Sequence, residues 1–140
     1  MNVVIDTNVM VSALLTPPGP PGEVLRMAGR GLFVPLFDHR ILSEYEEVLR
    51  RPKFGFPAGK VQDLLGMLEA RGLRVAAMPL VAKLPDPDDL PFLEVALSGK
   101  AEALVTGNLK DYPPRWRVGL RVLSPSEFLV ELARALPRGK

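Results

Sequence analysis

The chain has 140 residues, 47% of them hydrophobic and 24% charged, a balance that suits one folded domain and not a disordered segment. It has no Cys and a single His, His39, which excludes disulfides, thiolate metal sites, Cys nucleophiles and any metal centre or acid–base pair built from several imidazoles. A formal charge of +2 is too small to argue for nucleic acid by itself, so any chemistry falls to the carboxylates. The N-terminus lacks the basic region of a secretory leader and Asp6 breaks its apolar run. No stretch of ~18 apolar residues is available to span a membrane, so a soluble cytoplasmic protein is expected.

In chain order, the apolar run at 2–5 reads as a strand and 8–15 as a helix, ended by Pro17-Pro18-Gly19-Pro20-Pro21. Residues 23–29 form a second helical piece with Val24, Leu25, Met27 and Ala28 as its apolar side, and 32–37 form a second strand. Over 40–51, Ile41, Tyr45, Val48 and Leu49 recur at helical spacing. Over 61–71, Val61, Leu64, Leu65 and Leu68 do the same, with Gly72 placed to cap the end. A third strand is expected at 73–78, a helix at 88–98 stopped near Gly99, a fourth strand at 103–106 and a fifth at 118–123. Ser124-Pro125-Ser126-Glu127 has the N-cap, the first-turn proline and the Glu of a capping box, so a last helix runs to about residue 135. Strands alternating with helices imply a three-layer α/β/α sandwich around a central, mainly parallel five-stranded sheet, in a single domain over 1–140.

Sites in open α/β sheets form outside the carboxyl ends of the strands. The first strand runs into Asp6-Thr7-Asn8, and the second leads to the helix carrying Glu44. The third leads to Asp86-Pro87-Asp88-Asp89, and the fourth to Thr106-Gly107-Asn108 and then Asp111. Acids thus gather at one end of the sheet, and an oxygen-only ligand set suits Mg²⁺ or Mn²⁺. Each residue also has a plainer reading. Asp6 can be an N-cap; Glu44 sits in a charge run with Glu46 and Glu47, although it lies nearer the apolar side; one of Asp86, Asp88 and Asp89 must cap a helix; Thr106 and Asn108 can simply shape a turn. Arg51 and Lys53 follow a helix C-terminus, where cations are favoured in any case, and a role against an RNA backbone is the weaker alternative.

Asp6-Thr7-Asn8-Val9, Ser12-Ala13-Leu14-Leu15, Ser43 to Leu49 with Arg51-Pro52-Lys53-Phe54, Asp86-Pro87-Asp88-Asp89 with Phe92 to Leu97, and Leu104 to Asn108 together resemble a PIN domain. The branch they most resemble is the toxin component of toxin–antitoxin pairs, similar to VapC, and the resemblance covers nearly the whole chain. It implies a Rossmann-like sandwich and a metal-dependent ribonuclease with one or two Mg²⁺ or Mn²⁺ ions. By motif position the catalytic acids are Asp6, Glu44 and Asp89, with Asp86 assisting as a metal ligand, and Asn8 and Thr106 orienting them. The family's fourth acid usually follows Thr-Gly; here that position is Asn108, which leaves the second ion open, and Asp111 is the nearest acid that can substitute through the loop. The resemblance further implies an RNA substrate, an antitoxin partner, and self-association as a dimer or higher oligomer. Two other readings remain open: a degenerate PIN domain that binds RNA or protein without cutting, and a PIN nuclease of RNA processing.

Overall fold

The structure is a computed structural model and describes residues 1–137. Val3, Val4 and Ile5 of strand β1 (Asn2–Ile5) are at most 1% exposed, as a central strand covered on both faces requires. After β1 come helices α1 (Thr7–Leu15) and α2 (Pro20–Gly29), strand β2 (Val34–Phe37) and helix α3 (His39–Leu49). A 3₁₀ turn (Pro52–Phe54), helix α4 (Ala58–Arg71) and strand β3 (Leu73–Arg74) follow. The second half holds a 3₁₀ turn (Pro87–Asp89), α5 (Leu90–Ser98), β4 (Ala103–Val105), a 3₁₀ turn (Leu109–Asp111), α6 (Pro114–Arg117), β5 (Val122–Leu123) and α7 (Pro125–Ala135).

The strand order is β3-β2-β1-β4-β5, and every neighbouring pair is parallel. The chain builds outward from β1 through β2 to β3, then crosses back to lay β4 on the other side of β1. Right-handed crossovers put α1 to α4 on one face and α5 on the other. In keeping with this, α5 packs on β1, β2 and β4, whereas α2 packs on α1, α4 and α7. The reversal between β1 and β4 brings their carboxyl ends together, with the Asp6 amide donating to the Val105 carbonyl at 2.8 Å. A crevice at such a reversal is where α/β sheets bind ligands.

The predicted elements are present, with differences at their ends. α2 begins at Pro20 and not at 23, because Pro20 and Pro21 occupy its first turn, where a missing N–H costs nothing. α4 begins at Ala58, one turn earlier than the apolar period shows. β3 keeps two residues of the expected 73–78, both exposed; a short edge strand offers few unpaired groups to another chain. β5 keeps Val122–Leu123 of the expected 118–123. Val118 instead ends the unforeseen α6 in a left-handed turn with φ +50°, followed by Gly119 at φ +83°. The capping box of α7 forms as expected: Ser124 Oγ accepts from the Glu127 amide at 3.1 Å, and Glu127 Oε1 accepts from the Ser124 amide at 2.8 Å.

Candidate active site

A cleft of about 380 Å³ opens at the carboxyl end of the sheet, with Asp6, Glu44, Asp86, Asp89 and Asp111 on its walls. Thr7, Asn8, Val11 and Ser12 of the first turns of α1, and Val48 of α3, complete it.

Asp6 caps α1 and does more than cap. Its Oδ1 accepts from the Thr7 amide at 2.8 Å, while Oδ2 accepts from Thr106 Oγ1 at 2.9 Å, Tyr112 Oη at 3.1 Å and Asn8 Nδ2 at 3.4 Å. Burial pushes the Asp6 carboxyl above its ordinary range, and the bonds from Thr106, Tyr112 and the Thr7 amide pull against that. Thr106 is fully buried at the end of β4. Asn8 clamps the two strand ends: its Oδ1 accepts from the Gly107 amide at 2.8 Å and its Nδ2 reaches Thr106 Oγ1 at 3.3 Å. A Cβ at Gly107 would lie 3.2 Å from Asn8 Oδ1, so the close approach suits glycine.

Glu44 reaches the cleft because of its neighbour. Tyr45 is buried, and its hydroxyl donates to the Ile5 carbonyl, which ties α3 to the end of β1. The adjacent Glu44 is half-buried beside α1, where Thr7 Oγ1 donates to its Oε2. Glu46 and Glu47 stay exposed. Burial, then repulsion from Asp6, Asp88 and Asp86, raises the Glu44 pKa against the pull of the Thr7 bond.

Asp89 ends the 3₁₀ turn before α5 and is 8% exposed, and its Oδ2 is buried with no hydrogen-bond partner among the described residues. Burial, then repulsion from Asp6, Asp111, Asp86 and Glu44, pushes its pKa up to about 8. Asp86 is exposed on the cleft wall and caps the same turn, accepting from the Asp88 amide at 2.9 Å.

Asn108 is exposed. Its amide donates to Thr106 Oγ1 at 3.1 Å, and its Nδ2 donates to Asp111 Oδ1 at 2.9 Å. The residue that lines the cleft from this loop is Asp111, not Asn108. Arg51 and Lys53 stand outside the lining: Arg51 is exposed and pairs with Glu47 at 2.7 Å, and Lys53 Nζ lies 5.1 Å from the Phe54 ring centre. His39 is exposed at the start of α3, also away from the cleft.

Sequence reasoning missed Thr7 and Tyr112. Thr7 stands in the motif beside Asp6, and only the approach of α3 shows what its hydroxyl holds. Tyr112 is fully buried, with a phenol directed at Asp6 from 106 residues away. Its one sequence signal is an aromatic with a polar tip in an otherwise Pro-rich loop. Among the described residues no three His, Asp or Glu side chains already stand together as a ligand set. The carboxylates line one cleft from separate elements.

A family model described as a PIN domain matches residues 2–110. The chain belongs to the PIN-domain family. It is 32% identical to the uncharacterized protein MJ1680 of Methanocaldococcus jannaschii over 145 aligned positions, covering 96% of this chain and 93% of that protein. The PIN fold is also that of a chain in the crystal structure of VapBC2 from Rickettsia felis bound to a DNA fragment from their promoter. There the TM-score is 0.58 at 18% identity, covering 89% of this chain and 98% of the matched one. The matched PIN segment ends just before Asp111 and Tyr112.

Proposed function

We propose that this PIN domain, a single domain over 1–140, is a divalent-metal-dependent endoribonuclease of the cytoplasm and the toxin of a toxin–antitoxin pair. The observation that carries the reading is the cleft itself. Asp6, Glu44 and Asp89, from three separate elements, converge at the β1/β4 reversal, and a buried Asp89 oxygen there lacks a partner among the described residues. Structural ion pairing would have matched these acids with Arg or Lys; the cleft walls carry none. An oxygen-only donor set with an orphaned oxygen fits Mg²⁺ or Mn²⁺, with Asp6, Glu44 and Asp89 as the holding residues and Asp86 assisting. Such an ion, when bound, supplies charge neutralisation for a phosphodiester and makes water a better nucleophile near neutral pH.

The chain's own residues set the geometry. Asp6 is locked by donors on both oxygens, so its orientation costs little entropy at the moment of reaction. Thr7 holds Glu44 across the cleft from it. Asn8 and Thr106 keep the two strand ends in register. Hydrolysis adds water at phosphorus and breaks the bond to the 3′ oxygen, leaving a 5′-phosphate and a 3′-hydroxyl. With His39 outside the cleft, no imidazole pair activates the RNA 2′-hydroxyl. Arg51 and Lys53, at the 3₁₀ turn after α3, are the weaker candidates for phosphate contacts with longer RNA. The fold shared with the VapBC2 chain supports an antitoxin as protein partner; self-association as a dimer or higher oligomer is part of the same proposal.

The test is cleavage of total cellular RNA by purified protein in Mn²⁺, with an EDTA control, wild type beside Asp6→Asn, and new ends read by sequencing. Cuts bearing 5′-phosphates that vanish with EDTA and with Asp6→Asn are expected. Equal cutting by both proteins sinks the assignment. Asn108, an amide where the family's fourth acid usually stands, favours a second reading as a non-catalytic RNA- or protein-binding module. That reading requires a folded wild type that neither cuts nor binds Mn²⁺.

A further inference from the structure

Acids line the cleft and no Arg or Lys does, so an RNA backbone meets like charge there and its attraction has to come from beside the cleft. The arginines at the end of α3 are already neutralised: Arg50 pairs with Glu46 at 3.0 Å and Arg51 with Glu47 at 2.7 Å. The segment around α6 differs. Lys110 and Arg115 are exposed and make no ion pair among the described residues. Arg117 donates through Nε to the Tyr112 carbonyl at 2.7 Å and through Nη2 to the Leu109 carbonyl at 3.3 Å, which folds α6 back on the loop that carries Lys110 and Asp111. The Arg115 guanidinium carbon lies 5.3 Å from the centre of the Trp116 ring. Trp116 is the chain's single Trp, half-buried against the core, and its Nε1 is buried with no hydrogen-bond partner among the described residues. An indole N–H kept without an acceptor is a cost that Phe would avoid, which leaves the broad ring and the cation over it as what the position provides. α6 ends at Val118 with φ +50°, a strained conformation for a β-branched residue and of a kind that gathers at ligand sites.

We propose that Lys110, Arg115 and Trp116 form a path for single-stranded RNA beside the cleft, with the cations on phosphates and the Arg115–Trp116 pair stacked against a base. This rests on the ribonuclease reading above and names where its substrate is held. Guanidinium and indole planes stack on any base, and they need an unpaired one, since a duplex hides its base faces. Arg115 stands four residues after Asp111 of the cleft wall, at most about 14 Å along the chain, so a strand in the cleft reaches both. The matched PIN segment ends at residue 110, so Arg115 and Trp116 lie beyond it. An acidic protein segment would use the two cations but has no need of the ring.

The experiment uses the full chain carrying Asp6→Asn, in EDTA, so that neither metal nor cutting enters. Anisotropy of a fluorescein-labelled uridylate dodecamer gives affinity across a range of salt, and emission of the single Trp reports stacking directly. The dodecamer should quench that emission, and poly-glutamate should not. Adding Arg115→Ala should weaken RNA binding by about tenfold and Lys110→Ala by about threefold, each lowering the salt slope by about 0.7. Trp116→Leu should weaken it by about tenfold, and Trp116→Phe, which keeps a ring, should restore most of the affinity. Arg134→Ala removes an exposed cation from α7 and should change neither affinity nor slope. Lys110 and Arg115 are exposed, so their variants decide the matter even if Trp116→Leu does not fold. Parent affinity and slope in both Arg115→Ala and Lys110→Ala overturn the inference. Trp emission unmoved at saturating RNA, or tighter binding of poly-glutamate or duplex RNA than of the single strand, does so too. RNA held on this path by a wild type that never cuts in Mn²⁺ keeps the path and removes the nuclease; cutting without these contacts removes the path and keeps the nuclease.

Discussion

Replacing Asp89 by Asn should make the metal-free protein more stable. Folded Asp89 titrates near 8, against 3.8 for an ordinary Asp. The folded state therefore holds this proton more tightly than the unfolded chain, so stability falls as pH rises from about 4 to about 8 and is level above that. At pH 7 the unfolded carboxylate is ionised and the folded one mostly protonated. The span from 3.8 to pH 7, at about 1.4 kcal/mol per pH unit, gives an upper figure of about 4 kcal/mol. The open side of the cleft screens the neighbouring acids, which brings the cost to about 2 kcal/mol. Asn removes the charge, keeps the volume, and should raise the midpoint of thermal unfolding by about 6–10 °C at pH 7. The assay is thermal and urea unfolding in EDTA from pH 5 to 8. Wild type should lose stability across that range, and Asp89→Asn should lose less. In Mn²⁺ the order should reverse, since the ion stabilises only the protein that binds it. A wild type whose stability does not change between pH 5 and 8, or an Asn variant no more stable in EDTA, refutes the reasoning.

Tyr112→Phe deletes the phenol that donates to Asp6 and should cost about 1–2 kcal/mol near pH 8. The cost should shrink as Asp6 protonates at lower pH, and a penalty independent of pH between 4 and 8 contradicts the bond to an ionised carboxylate. Glu94 is buried, accepts from Arg40 at 2.7 Å and from the Leu80 amide at 2.9 Å, and so tethers the segment leading to Asp86 and Asp89. Glu94→Ala should cost about 2 kcal/mol in urea unfolding and speed hydrogen exchange at Leu80, while unchanged exchange there argues against the tether. Gly72→Ala puts a Cβ 2.4 Å from the Pro35 carbonyl oxygen and 2.5 Å from the Phe37 ring, and should cost about 2 kcal/mol. Gly66→Ala inside α4, the helix that Gly72 caps, meets nothing within 4 Å and should stabilise by about 0.8 kcal/mol, so equal effects at the two sites rule out the steric account.

Much of the molecule is legible in local patterns. The apolar run of β1, the helical recurrence of Ile41, Tyr45 and Leu49, and the capping box at Ser124 each specify an element through interactions only a few residues long. The parallel sheet follows from their alternation. The ends are less legible. Residues 75–78 carry the apolar character of a strand, but the last bond to β2 is that of the Val75 amide to the Phe37 carbonyl, and Glu94 holds Leu80 instead. Val118 belongs to a positive-φ turn that its β-branched side chain gives no reason to expect.

By itself, the sequence determined that the chain is an α/β protein, that its acids follow strands, and that one or more carboxylates must do any chemistry. Those facts depend on composition and on short-range periodicity. Only the tertiary structure decided which acids face one another. Glu44 stands 37 residues from the Thr7 hydroxyl that holds it, and Asp6 stands 100 and 106 residues from Thr106 and Tyr112. It also placed Asp111, and not Asn108, on the cleft wall. A carboxylate's pKa and ligand value are set by burial and by charges within several ångströms, and the β1/β4 reversal together with the tie of α3 to β1 brings those distant segments within that range.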